Sequence, residues 1–362
     1  MSAKKWLTTL YCLLLAFLVV TGALVVWIDP FFHYHGPVGG FYYQLGDQRS
    51  QNDGITRHFD YDAVITGTSM AENFRTSEFD ALFGTHAVKL PYPGATYKEI
   101  NDNLEKALDT HPDVTYVLRP LDLTHLIEDA SAMRTDMGDY PDYLYDNNIL
   151  NDVKYLYNST VLFEYAAPML AKRALGEEGG ITPFDDYSWS GDDEYSAEKA
   201  LEGKTSFVPA RSQPGLTEEE KQMVEDNIEA NVVRTAREHP KTIFLYYFAP
   251  YSAAYYGKCM EDGTFEKLEE AEQLATKAIL ACDNIRLFLF SSDTDTTMNL
   301  ANYKDMGHYS PEVSSLVLER LHLAVTGEEA SLYEMTRESA DDLLTREREI
   351  YESFDFNSLV AE

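Results

Sequence analysis

The sequence predicts an α/β protein, a three-layer sandwich around a central parallel sheet of about five strands, with one N-terminal transmembrane helix. Three observations lead there. A long charge-free apolar run opens the chain. From residue 62 onward, short apolar runs alternate with amphipathic helical stretches, the signature of strands joined by helical crossovers. And 44% apolar residues over 362 positions suffice for a sizeable core.

The opening run reads Lys4-Lys5 and then Trp6 to Ile28 with no charged residue. About 23 helical residues at about 1.5 Å each cross the roughly 30 Å hydrocarbon layer. A cleaved secretory signal is the competing reading. Its apolar core is only about 7–15 residues and ends at a small-x-small site, and Val25-Val26-Trp27-Ile28 offers none. The run is therefore read as an uncleaved anchor over 1–28. The two lysines place the N-terminus in the cytoplasm and the bulk of the chain outside the membrane.

Residues 29–61 are aromatic and Gly-rich without clear period, and read as a juxtamembrane segment. Asp29, His33 and His35 are conceivable metal ligands there, but no further ligand stands at useful spacing, and turns near the headgroups explain them better. The sandwich is expected over 62–325. YDAVITG is its first strand, and SEFDALFG a helix with a glycine stop. HAVKLPYPG is a second strand entering a Pro-Gly turn. Ile100, Leu104 and Leu108, spaced i, i+4, i+8, mark an amphipathic helix. VTYVLRPLD is the third strand, KTIFLYYFAP the fourth and IRLFLF the fifth. Between the third and fourth lies an insertion at about 125–215, with helices near 151–175 and an acidic Gly/Ser-rich loop over 176–203; a further helix near 216–239 follows it. PEVSSLVLERLHLAV closes the domain, and 326–362 reads as an acidic helical tail. Between Cys259 and Cys282, FEKLEEAEQLATKAILAC reads as a helix about 27 Å long, and the few loop residues before it cannot bring the two ends together, so two free thiols are expected rather than a disulfide.

Lys plus Arg number 29 against 61 Asp plus Glu, a net charge of −32. Such a surface repels phosphate backbones, which excludes a nucleic-acid partner, and it disfavours docking on anionic lipid. With 25 Tyr and 18 Phe the chain is too aromatic for a solvating tail.

Two stretches carry chemistry. VITGTSMAENF runs from a strand through Gly67-Thr68-Ser69 into a helical continuation. Ligands gather at the carboxyl ends of parallel strands, so Ser69 falls at the expected site; a plain helix cap is the alternative. NYKDMGHYSPEV places Asp305 and His308 in the loop before a helix announced by Ser310-Pro311. Asp-x-x-His lets a carboxylate hold the imidazole Nδ1–H, leaving Nε2 to take a serine proton. An α/β-hydrolase elbow fits less well. The serine follows the first strand, and the acid and histidine share one loop.

This arrangement resembles the SGNH (GDSL-like) hydrolase family over about 62–325. Gly67-Thr68-Ser69 matches the family's nucleophile block, with Thr where Asp is usual. Gly94 in LPYPGAT matches the glycine that donates its N–H to the oxyanion. The third block meets Arg119-Pro120-Leu121-Asp122, so its oxyanion asparagine is missing; Asn73, one turn after Ser69, is the candidate substitute. Asp305 and His308 match the fourth block. The anchor, early serine and late Asp-x-x-His-Tyr-Ser are similar to the membrane-anchored, extracytoplasmic branch, including the D-alanyl transfer protein DltD and the O-acetyl-transfer proteins of bacterial envelope polysaccharides. The resemblance implies a serine esterase or O-acyltransferase acting on envelope glycan esters through an acyl-serine, alongside a membrane-bound O-acyltransferase as partner. It requires no metal or organic cofactor. The acidic balance favours a neutral or cationic acyl acceptor over a phosphate-rich one. The rival expectation is a non-catalytic binding or scaffold protein, with the tyrosine-rich stretch YPDYLYDNNILNDVKYLYN stacking on sugars.

Overall fold

The computed structural model describes residues 2–136, 140–188, 193–328 and 332–361. These fall into two compact units, one of residues 1–59 and 138–187, the other of 60–137 and 188–362. The expected insertion is therefore divided. Its central part shares a unit with the juxtamembrane segment instead of forming a long loop of the sheet domain.

The first unit begins with α1 (Ala3–Ile28), long and apolar enough to cross a membrane and carrying the predicted charge-free run. Asp29 ends it in the left-handed conformation, φ 47°. Its buried carboxylate accepts hydrogen bonds from the backbone N–H groups of His33, Tyr34 and His35 at 3.0, 2.6 and 2.9 Å, and from the Tyr155 hydroxyl at 2.7 Å. The His33 ring lies between Asp152 and Arg57, and the His35 ring nitrogens sit on the Gly36 and Val26 carbonyls. The Asp29, His33 and His35 side chains thus terminate a helix and pin the following turn. Tyr155 is fully buried with Val25, Phe31, Leu144 and Val161, and Tyr143, Tyr145 and Tyr165 pack against that cluster. The tyrosine-rich stretch is this unit's core, because each ring supplies a large apolar face while its hydroxyl finds a polar partner. A two-residue parallel ladder joins Tyr42–Tyr43 to Gly180–Ile181.

Helix α2 (Gln48–His58) completes the unit, with the Asp47 side chain capping the Ser50 N–H. A β-carbon on its Gly54 would collide with the Phe31 carbonyl oxygen and stand 2.6 Å from that of Phe32. Those are backbone atoms and cannot swing aside. Gly54→Ala is expected to destabilise the protein by about 3 kcal/mol, read as a lowered unfolding midpoint of the detergent-solubilised chain. An unchanged midpoint would show that α2 does not approach Phe31 so closely.

The second unit holds a six-stranded sheet of strands β1 (Ala63–Gly67), β2 (Ala87–Pro91), β3 (Tyr116–Leu121), β4 (Ile243–Phe248), β5 (Ile285–Leu289) and β6 (Glu334–Met335), in the order β2-β1-β3-β4-β5-β6. The first five are parallel, as expected. β6 is antiparallel to β5, with Leu287 opposite Met335. Strands β1 and β2 are buried at every position, which is why they read as unbroken apolar runs rather than alternating ones. Parallel neighbours require crossovers. These are α3 (Thr76–Phe83) between β1 and β2, α4 (Tyr97–Thr110) between β2 and β3, a long connection containing α5 (Glu218–Ile228) between β3 and β4, and α6 (Ala253–Asp262) with α7 (Phe265–Ile279) between β4 and β5. Gly84 stops α3 in the left-handed conformation, and the Thr96 hydroxyl caps α4. Helix α8 (Pro311–Thr326) packs on α3, while α7 contacts both α5 and α9 (Ala340–Ser353).

The tail departs from expectation. β6 extends the sheet, the Glu334 carboxylate pairs with Arg286 at 2.6 Å, and α9 buries Leu344 and Tyr351. A two-residue strand is too short to leave a periodic signal, so its place in the sheet was illegible. The three cysteines are free, Cys12 exposed and Cys259 and Cys282 buried.

Candidate functional site

The order β2-β1-β3 reverses chain direction across the sheet beside β1, and ligands of such sheets bind outside the strand ends at that reversal. Ser69 sits there. β1 ends at Gly67, whose φ of 146° suits glycine, and a β-carbon would press on Pro120 at 3.0 Å and Ala71 at 3.1 Å. A 3₁₀ turn over Ser69–Ala71 follows, with the Thr68 hydroxyl accepting from the Met70 N–H at 3.3 Å. Lys89, fully buried in β2, donates from Nζ to the Glu72 and Phe74 carbonyls at 2.5 and 2.9 Å. The serine turn is thus tied to the neighbouring strand.

The loop after Leu300–Asn302 brings the other two residues. It is closed by a bridge between Tyr303 and Tyr309, and Pro311 starts α8 immediately beyond it. Ser310 takes the cap position without a capping side-chain bond. Asp305 Oδ1 accepts from the backbone N–H groups of Gly307 and His308 at 2.9 and 2.7 Å, and Oδ2 meets His308 Nδ1 at 2.8 Å. Burial works against the charged form of Asp305, but the His308 ring and these N–H groups outweigh it and hold its carboxyl below the usual range. An ionised carboxylate can only accept, so Nδ1 carries a proton, and in the neutral ring Nε2 is the acceptor. His308 Nε2 lies 2.7 Å from Ser69 Oγ. The structure therefore brings Ser69, His308 and Asp305 into one hydrogen-bonded line, across 239 residues of sequence.

They open onto a cleft of about 390 Å³, also walled by Gly94, Asp122, Thr124, His125, Glu202, Tyr251 and Tyr255. Gly94 lies in a Pro-Gly turn with φ 60°, closed by the Ala95 N–H on the Tyr92 carbonyl at 3.0 Å. It is on the cleft wall. Asn73 is not. It is 4% exposed, its Nδ2 donates to the Tyr309 carbonyl at 3.2 Å, and its Oδ1 accepts from Ser188 at 2.7 Å. Its amide braces the histidine loop against the serine turn, and Asn73 is not among the residues that wall the cleft. This overturns the expectation that Asn73 replaces the missing asparagine.

The Arg119–Asp122 block divides its work. Arg119 is fully buried, donating to the Asn231 carbonyl at 2.9 Å with its guanidinium 4.8 Å from the Tyr97 ring centre. Asp122, 4% exposed, reaches the cleft, where its two oxygens accept from the Thr68 and Tyr251 hydroxyls. Sequence reading missed Tyr251, Tyr255, Thr124, His125 and Glu202. A second imidazole in the cleft, His125, lies 2.6 Å from Glu128 Oε1. Burial lowers its pKa, but the hydrogen bond to Glu128 and the charge of Asp122 win and leave it raised. Behind the serine turn, burial pushes the Glu72 carboxyl up to about 7 against the opposing pull of Lys89, His308 and Lys304.

Fold and site together define a mixed α/β protein with a hydrogen-bonded serine, histidine and aspartate at the carboxyl edge of a largely parallel sheet. No family model, curated protein or solved structure matches the chain.

Proposed function

We propose that this chain is a membrane-anchored serine esterase or O-acyltransferase of the SGNH type, its sheet and helices forming that family's three-layer sandwich outside the membrane. The observation that carries the reading is the 2.7 Å contact from Ser69 Oγ to His308 Nε2, with Asp305 behind the ring at 2.8 Å and a cleft in front. In the first half-reaction His308 takes the Ser69 proton as Oγ attacks the ester carbonyl, and Asp305 stabilises the imidazolium. The N–H groups of Ser69 and Gly94 receive the oxyanion. His308 returns the proton to the departing alcohol, leaving an acyl-serine. Water or a sugar hydroxyl then attacks it by the reverse sequence.

The substrate of this reading is an acyl, above all acetyl, ester of an envelope glycan, with a neutral or cationic acceptor. Among the described residues the lining of the cleft includes Asp122, Glu202 and Asp305 and neither lysine nor arginine, so a phosphate-rich acceptor would be repelled. A membrane-bound O-acyltransferase is the fitting donor-side partner for a chain carried on α1.

A non-catalytic glycan-binding or scaffold role is the second reading. Asp122 favours it, because an acceptor stands where the family places an oxyanion donor. The test is labelling of the detergent-solubilised chain with a fluorophosphonate, followed by peptide mapping. The esterase reading expects one phosphonate per chain, on Ser69. No adduct, or an adduct elsewhere that survives Ser69→Ala, would favour binding alone.

A further inference from the structure

Away from the cleft, three carboxylates meet between α7 and α9. Glu269 and Glu272 stand i, i+3 on α7 and Glu347 stands on α9, with one oxygen of each within 4.8 Å of the others. Glu272 and Glu347 are fully buried, and Glu269 is 8% exposed. Both oxygens of Glu272, Oε1 of Glu269 and Oε2 of Glu347 have no hydrogen-bond partner outside the trio among the described residues, Glu272 and Glu347 lying against each other. Arg348, next along α9, is hydrogen-bonded to Glu266 and Glu352 instead. The Tyr256 hydroxyl on α6 comes no closer to Glu347 than 3.5 Å.

A further observation points to a ligand. The Ser291 hydroxyl, after β5, is fully buried, turned toward Glu347, and has no hydrogen-bond partner outside the carboxylate cluster among the described residues. Three buried carboxylates and a buried hydroxyl converge with no cationic side chain bonded to them among the described residues, Arg348 acting on Glu269 only through space, an arrangement costly to leave uncompensated.

We infer that Glu269, Glu272 and Glu347, with the Ser291 hydroxyl, bind one calcium ion that clamps α9 to α7. Calcium takes six to eight oxygens at about 2.3–2.6 Å, so ligand atoms on a common ion lie at most about 5 Å apart, which the trio satisfies. Three carboxylates and a hydroxyl supply up to seven oxygens. The set holds no thiolate or imidazole, which disfavours zinc and copper. Magnesium keeps several waters and uses one or two carboxylates, whereas here three buried carboxylates converge. The ion would act on the tail, since α9 reaches the body through this face.

The competing state is protonation, because burial first, and mutual repulsion for Glu269 and Glu272, raise the carboxyl pKa values. The full-length chain in detergent, stripped with EDTA, should be dialysed against radioactive calcium and melted with calcium, magnesium or manganese. Calcium is expected to raise Tm by several degrees, and Glu272→Gln and Glu269→Gln should each remove one bound equivalent and the Tm response. Surface sites on so acidic a chain would survive both variants, so the lost equivalent is the readout. Should Glu272→Gln fail to fold, Glu269→Gln, at the less deeply buried edge of the cluster, and the wild-type melt still decide. Unchanged stoichiometry in the variants, a calcium-independent Tm, or response to magnesium or manganese alone would overturn the assignment.

Discussion

Ser69→Ala is expected to lower kcat/KM for a simple acetyl ester by roughly 10⁴-fold or more, with the folded state intact. The size follows from the chemistry lost. On the proposed mechanism no acyl-enzyme forms without Oγ, and what would remain is whatever the N–H groups of the turn and binding achieve with water as nucleophile. Stability should hardly move. Ser69 is only half-buried, and its Oγ meets His308 Nε2 at the wall of a cleft that water can reach. The unfolding free energy should therefore stay within about 0.5 kcal/mol of wild type. His308→Ala should cost a comparable factor, and the double variant little more than either alone, because residues acting as one unit are not additive. Turnover of p-nitrophenyl acetate checks all three. A Ser69→Ala protein within tenfold of wild type would remove the acyl-serine from the mechanism.

Asp122→Asn is the second large effect, about 10²-fold in kcat/KM. Asp122 Oδ2 and Oδ1 accept from the Thr68 and Tyr251 hydroxyls. An amide has one accepting atom, so one of these buried hydroxyls would face an N–H and lose its acceptor. That costs about 1–3 kcal/mol of stability. Thr68 precedes Ser69 and also receives the Met70 N–H, so its shift displaces Ser69, and misplacement by about 1 Å is worth about 10² in rate. The loss should fall on kcat, since the carboxylate positions the serine turn. Tyr251→Phe, which removes only one of the two donors, should do less. A purely structural Asp122 would lower the unfolding midpoint while leaving kcat of the folded fraction unchanged.

Much of this molecule is legible in one dimension. The five parallel strands appear as apolar runs because both faces of each are covered. Gly84 and Thr96 announce helix ends through backbone and capping requirements that act within a few residues. Ser69 and the Asp305–His308 pair are local motifs too, one at a strand end and one before a Pro-started helix, and their meeting follows once the strands are parallel.

Other features depend on partners far along the chain. Asp122 reaches Thr68 because β3 lies beside β1, with Ala63 opposite Tyr116; nothing in Arg119-Pro120-Leu121-Asp122 states that register. Asn73 stands one turn from Ser69, yet the Tyr309 carbonyl and Ser188 claim its amide. The segment 138–187 packs with 1–59 through Phe31 and Tyr155, a pairing that its tyrosine content alone does not specify. Glu269, Glu272 and Glu347 look like the solvated face of acidic helices until α9 folds over α7 and buries them.

The division has one physical cause. Burial pattern, helix caps, turn glycines and the membrane-length run are set by forces between near neighbours, so residue order alone settles the α/β class, the anchor-like helix and the serine, histidine and aspartate. Which acceptor each buried donor finds is set by long-range register and packing. Folding therefore kept Asn73 off the cleft wall, brought Asp122 and Tyr251 onto it, and closed three carboxylates around a common point.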